Sequence, residues 1–161
     1  MQEKIYNLGI VNSEVPPGSS LIRELESIGQ PVFFRPGERV IAEGESGKGI
    51  YILRSGSARV SMTSRDGKTI ELRSLERGAF IGLSSTLSCD HCCYTVETDH
   101  RAQFTFVPSA DAQELLRLRP DLCLQVIRLL GEEMSTLCNE RAVLNANARP
   151  LQIGHDLQQK W

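Results

Sequence analysis

Three cysteines, an aspartate and a histidine crowd into Cys89-Asp90-His91-Cys92-Cys93. Such side chains can hold a soft metal ion or act as redox-active thiols. A tetrahedral metal site usually combines donor pairs from two chain segments. No second pair exists, because His100, His155, Cys123 and Cys138 stand apart, so no metal is expected. A loop cysteine beside His91 could ionise, which makes Cys89, Cys92 and Cys93 candidates for a thiol or redox role. The simpler account is a loop with incidental cysteines. Immediately before them runs Gly78-Ala79-Phe80-Ile81-Gly82-Leu83-Ser84-Ser85. Glycines and small hydroxyl residues let backbone N–H groups come close to a ligand. Phe80, Ile81, Gly82, Leu83, Ser84 and Ser85, with Cys93, Tyr94 and Thr95 beyond the cysteines, are therefore the candidate ligand contacts.

Catalysis has no comparable support. Ser84 and Ser85 lack the Gly-x-Ser-x-Gly turn, and His91, His100 and His155 have no partner pattern. Glu43-Gly44-Glu45-Ser46-Gly47-Lys48-Gly49 lacks the spacing and following helix of a phosphate loop, so it reads as a turn between strands. The chain is expected not to be an enzyme and to carry no cofactor.

The elements that position these residues follow from periodicity. Residues 1–18 are rich in turn formers and read as an N-terminal arm. Ser19 or Ser20 caps a short helix, with Glu24 placed to support the cap, and Gly29 and Pro31 stop it. From 31 to 107 short runs alternate with turns: Pro31–Phe34, Arg39–Ala42, Ile50–Leu53, Ala58–Thr63, Thr69–Leu75, Tyr94–Thr98 and Gln103–Val107. Ala58, Val60 and Met62 face one side; Ile70, Leu72 and Leu75 are expected inward, and Asp66-Gly67 is a hairpin signal. Many short strands with frequent turns mean an all-β barrel or roll.

Ser109 is expected to cap a helix over Ala110–Arg117, and Pro120 opens a longer one. There Cys123, Ile127, Leu130, Met134, Leu137, Arg141 and Leu144 recur at alternating spacings of four and three. That is a coiled-coil seam broken by Arg141. Leu122, Val126 and Leu129 form a second apolar face. Two faces need two partners: the chain's own roll and, across the seam, a twin helix in a parallel homodimer. A single broad face on one core is the alternative. Cys123 would face its twin or serve as a small buried apolar residue.

Composition bounds the rest. The 161 residues are 40% hydrophobic and carry a formal net charge of −2. That is an ordinary globular chain without the basic excess of a nucleic-acid-binding domain. No apolar run reaches the roughly 20 residues needed to span a bilayer, and residues 1–6 lack a signal-peptide core. A cytoplasmic location is expected.

One ordered set of motifs resembles a known family. It runs Phe34-x-Pro36-Gly37-x-x-x-Ile41-x-x-Gly44-Glu45, then Gly49-Ile50-Tyr51-Ile52-Leu53-x-x-Gly56-x-Ala58-x-Val60, Asp66-Gly67, Gly78-x-Phe80-Ile81-Gly82 and a long helix. Over roughly residues 20–145 it resembles the cyclic-nucleotide-binding domain of the CRP/FNR transcription regulators. The resemblance implies a mainly β fold with flanking helices, a double-stranded β-helix (jelly-roll), plus a long C-terminal dimerisation helix. It divides the chain into the arm (1–18), the β-roll with flanking helices (19–119), the dimerisation helix (120–147) and the start of a truncated or absent DNA-binding domain (148–161). In nucleotide-binding members an acid follows the glycine of Phe-x-Gly and holds the ribose, and a later arginine holds the phosphate. Here those places hold Leu83 and the cation-free Cys92-Cys93-Tyr94-Thr95. The iron–sulfur branch needs cysteines in its N-terminal arm, and residues 1–88 have none.

The expected function is thus effector sensing and dimerisation in a CRP/FNR-type regulator, without cAMP or cGMP held through the usual acid and arginine. DNA would be contacted only by a domain beyond Trp161, and the effector would be a small molecule. The other reading is a stand-alone dimeric structural or interaction protein whose pocket is filled by Leu83, Leu87 and Tyr94.

Overall fold

The computed structural model describes residues 19–88 and 90–147, with side chains placed through Glu132 and at Ser135. The arm, Cys89, the seam side chains Met134, Leu137, Arg141 and Leu144, and residues 148–161 lie outside the described residues.

Chain order is α1 (Ser20–Ile28), β1 (Gln30–Phe34), β2 (Arg39–Ile41), β3 (Gly49–Ser55), β4 (Ala58–Thr63), β5 (Thr69–Leu75), β6 (Phe80–Ile81), α2 (Leu83–Ser88), β7 (Thr95–Thr98), β8 (Ala102–Pro108), α3 (Ser109–Leu118) and α4 (Pro120–Asn147). The strands form two antiparallel sheets, ordered β1-β8-β3-β6 and β2-β7-β4-β5. Both orders are non-sequential, as in a roll whose chain crosses between layers.

Period-two alternation builds two cores. Tyr51 and Leu53 of β3, Ile81 of β6 and Phe104 of β8 meet Val60, Leu75 and Val96 from the second sheet, so this cluster lies between the sheets. Ile50, Ile52, Phe80 and Val107 point the other way. They pack against Leu21 and Leu25 of α1, Ala112 and Leu116 of α3, and Leu122 and Val126 of α4. Each fully buried aliphatic or aromatic side chain contributes about 1.5–3 kcal/mol.

Ser19 caps α1 as expected, accepting from the Ile22 N–H at 3.3 Å. Glu24 does not support that cap. Its carboxylate accepts from Arg119 at 3.0 Å and ties α1 to the α3–α4 junction. α3 begins at Ser109 itself, with Pro108 in the cap position and no side-chain cap bond. Ile70 and Leu72 are not inward; they are 47% and 36% exposed. The β4–β5 register slips between Val60 and Ser61, which displaces Leu72 from the ladder. Beyond the slip, Met62 pairs with Ile70.

On α4, Leu122 and Val126 are buried against the roll, while Ile127 is 58% exposed and Cys123 and Leu130 are half-buried. Leu130, expected on the seam, packs with Leu129 against the same core as Leu122 and Val126, so among the described seam residues Ile127 is the one turned to solvent. No helix among the described residues is long and apolar enough to cross a membrane.

Candidate ligand-binding site

The site is built where β6 runs into α2. Gly82 has φ 79°, and a Cβ there would lie 2.6 Å from the Gly49 carbonyl oxygen. Only glycine fits so close a backbone with that dihedral. The chain then forms a short helix from Leu83 to Ser88, where a loop of small hydroxyl residues is the sequence expectation. Serine and threonine are weak helix formers, so packing holds this turn. Leu83 and Thr86 are fully buried, and the Gln113 side chain donates to the Thr86 carbonyl at 2.8 Å.

The segment from Asp90 to Cys92 is stitched to the loop before β3. Cys92 N–H donates to the Glu45 carbonyl at 2.8 Å, Gly44 N–H to the Cys92 carbonyl at 2.8 Å, and Gly47 N–H to the Asp90 carbonyl at 3.4 Å. Gly47 lies against α2: a Cβ there would sit 2.7 Å from the Ser85 carbonyl. These bonds fix Cys92, Cys93 and Tyr94 opposite Gly82.

The side chains the structure brings together are Gly82, Ser85, Cys92 and Tyr94. Gly82 N–H donates to the Tyr94 hydroxyl at 3.0 Å. Ser85 Oγ donates to the Gly82 carbonyl at 3.3 Å, and Cys92 Sγ donates to Ser85 Oγ at 3.2 Å. Tyr94 is 3% exposed. Burial pushes its phenol well above the ordinary tyrosine range, so it stays neutral. Each polar backbone group of Gly82 thus has a side-chain partner.

The other expected contacts go elsewhere. Leu83 and Phe80 pack in the helix-facing core, with Leu87 against it, so neither leucine fills the space between the sheets. Ile81 belongs to the inter-sheet core. Ser84 is half-buried. Thr95 is on the outer face of β7, where its Oγ1 accepts from the Glu43 N–H at 3.1 Å. Three aromatic rings not among the expected ligand contacts, Phe34, Tyr51 and Phe104, share the inter-sheet core with Tyr94, and Phe106 packs on Tyr51. Tyr51 lies 4.7 Å from Phe106 and 6.3 Å from Phe104, and Phe34 lies 5.6 Å from Phe104, between centroids. Aromatic residues at inward-facing strand positions 34, 51 and 104 are the signal that could have found them.

Cys92 is buried and Cys93 half-buried. Burial pushes the Cys93 thiol up, which disfavours the thiolate that redox sensing requires. Asp90 and His91 are both exposed. Among the described residues no three His, Cys, Asp or Glu side chains are grouped as metal donors.

A β-roll with this glycine turn, short helix and return strand is the architecture of a cyclic-nucleotide-binding-type domain. Residues 31–119 match the cyclic nucleotide-binding domain, and the chain belongs to that family. Its fold is similar to the catabolite activator protein of Thermus thermophilus, with a TM-score of 0.72 and 19% identity over 81% of this chain and 62% of that one. It is also similar to a transcriptional regulator from Thermotoga maritima, with a TM-score of 0.66 and 20% identity over 78% of this chain and 98% of that one. In sequence it is 24% identical over 127 residues to mouse (Mus musculus) patatin-like phospholipase domain-containing protein 7, covering 79% of this chain and 9% of that protein. The chain thus spans less than a tenth of that relative's length.

Proposed function

We propose that this chain is the effector-sensing and dimerisation domain of a CRP/FNR-type transcription regulator, and that its cassette does not hold cAMP or cGMP through an acid and an arginine. The observation that carries the second half is the Tyr94 hydroxyl seated on the Gly82 N–H at 3.0 Å. A cyclic phosphate needs charge-assisted partners or several aligned N–H donors. Here the amide already has a neutral acceptor, and Leu83 stands fully buried where an acid is needed.

A route from the cassette to the dimer helix is continuous in packing. α2 is tied to α3 through Gln113, and Leu83 shares one core with Leu122 and Val126 of α4. An effector that moves α2 would bias the packing of α4 against a twin helix, a population shift between two dimer arrangements. DNA contact belongs to a separate domain following α4, consistent with the net charge of −2 on this chain.

A second reading is favoured by the aromatic filling of the roll: a dimeric interaction module that senses nothing. Calorimetric titration with cAMP and cGMP tests the first reading. No heat at micromolar concentration is expected, and micromolar affinity for either nucleotide sinks it. Ligand screening that leaves the melting temperature untouched, with the dimer intact, would favour the second reading.

A further inference from the structure

The outer face of the β2-β7-β4-β5 sheet, turned away from the inter-sheet core, carries a groove of about 520 Å³. Small-molecule sites commonly occupy roughly 300–1,000 Å³. Arg39, Glu43, Ser61, Thr63, Thr69 and Thr95 line it. The sheet is irregular at this place. Register slips between Arg39 and Ile41 on β2, and between Val60 and Ser61 where β4 meets β5. Bulges bend strands and re-aim side chains, and Arg39 and Ser61 stand at these two bends.

The charges are arranged as well. Glu97 also borders the groove, but Arg59 holds it at 2.5 Å and reaches Asp99 at 2.6 Å, so those three charges largely satisfy one another. Arg39 has no ion-pair partner among the described residues. Glu43 is held in place from two directions: its Oε2 accepts from the Thr63 N–H at 2.9 Å, and its own N–H donates to Thr95 Oγ1 at 3.1 Å. That leaves Glu43 Oε1 for another donor. Besides Glu97, already held by Arg59, the groove thus offers one cation, the anchored Glu43 carboxylate and hydroxyl groups along its lining. A simple anion would meet Glu43, a simple cation would meet Arg39, and a neutral sugar would use neither charge.

We propose that this groove binds a small zwitterion, a free α-amino acid or short peptide. The Arg39 guanidinium takes its carboxylate, a match for the planar fork. Glu43 Oε1 takes its ammonium. The Ser61, Thr63 and Thr69 hydroxyls serve its remaining polar groups. Because the groove lies on the face of β7 opposite Val96, this site is separate from the Gly82 cassette and does not depend on what the cassette binds.

The test is a thermal-shift and calorimetric titration of the whole chain with each L-amino acid and with glycylglycine, up to millimolar concentration. At least one is expected to raise the melting temperature in a concentration-dependent way. Arg39→Ala and Glu43→Gln should each weaken that binding by about tenfold or more, the loss of one charge-assisted hydrogen bond. Glutamine retains an acceptor for the Thr63 N–H, and circular dichroism verifies that both variants fold. The N-acetyl and amide derivatives of the ligand should lose affinity likewise. No response to any amino acid or dipeptide overturns the proposal. So does binding undiminished in Arg39→Ala, or binding matched by inorganic phosphate or by methylamine.

Discussion

At the residue scale, a single phenolic oxygen decides how the tightest turn of the molecule is satisfied. Tyr94→Phe removes the acceptor of the buried Gly82 N–H and keeps the ring. The orphaned amide should cost about 1–3 kcal/mol, read as a lower urea midpoint at unchanged slope. The same phenol gives a pH dependence. Burial raises its pKa above the ordinary value of about 10, so the folded protein holds this proton more tightly than the unfolded chain. Its stabilising effect is complete below pH about 10 and is lost as pH rises through the folded-state value. Tyr51 is raised in the same direction, also by burial first. Stability should therefore fall on the alkaline side, and less steeply in Tyr94→Phe; equal slopes in both proteins would refute the assignment. Leu83→Glu supplies the acid that the resemblance to nucleotide-binding members calls for after Gly82, but places it in the helix-facing core. A carboxylate without a partner there should destabilise by about 3 kcal/mol or more. A variant of native stability that bound cAMP would show that the residue is free to turn toward the roll.

At the scale of elements, α4 is the clearest test. Ile127 is exposed and Val126 is buried against the roll. Ile127→Asp should leave a folded monomer by light scattering. Val126→Asp should instead lower the melting temperature, because it buries a charge within the domain. A dimer that survives Ile127→Asp argues for the single-face account of the helix. The strands and this helix were readable because their apolar spacing and their burial agree: Ala58 and Val60 point in, and Leu122 and Val126 point to the roll. The helix α2 was not readable. Leu-Ser-Ser-Thr-Leu-Ser has weak helical propensity, and contacts from Gly47, Gln113 and the helix-facing core hold it. Nor could alternation alone place Ile70 and Leu72, because a one-residue slip changes the face of all that follows it. The Tyr94–Gly82 bond joins two residues whose local patterns say nothing of each other. Sequence places Leu83 directly after Gly82, and only the fold shows that the Tyr94 hydroxyl accepts from the Gly82 N–H.

At the scale of the molecule, the two cores divide the work. One closes the roll between the sheets, and the other joins the roll to four helices through Leu21, Leu83, Ala112 and Leu122. α2 and α4 are therefore joined by a core that does not pass between the sheets. Amides in the β3–β8 ladder are held by backbone partners over much of both strands, and such amides exchange with solvent only when large parts of the fold open. Gly82 differs, because its N–H is held by a side chain. Its deuterium uptake is set by how often the Tyr94 ring withdraws, an event that need not break any strand pairing. The Gly82 amide is thus a built-in clock for opening of the cassette. A ligand that enters by displacing Tyr94 should speed that clock while the ladder amides keep their pace.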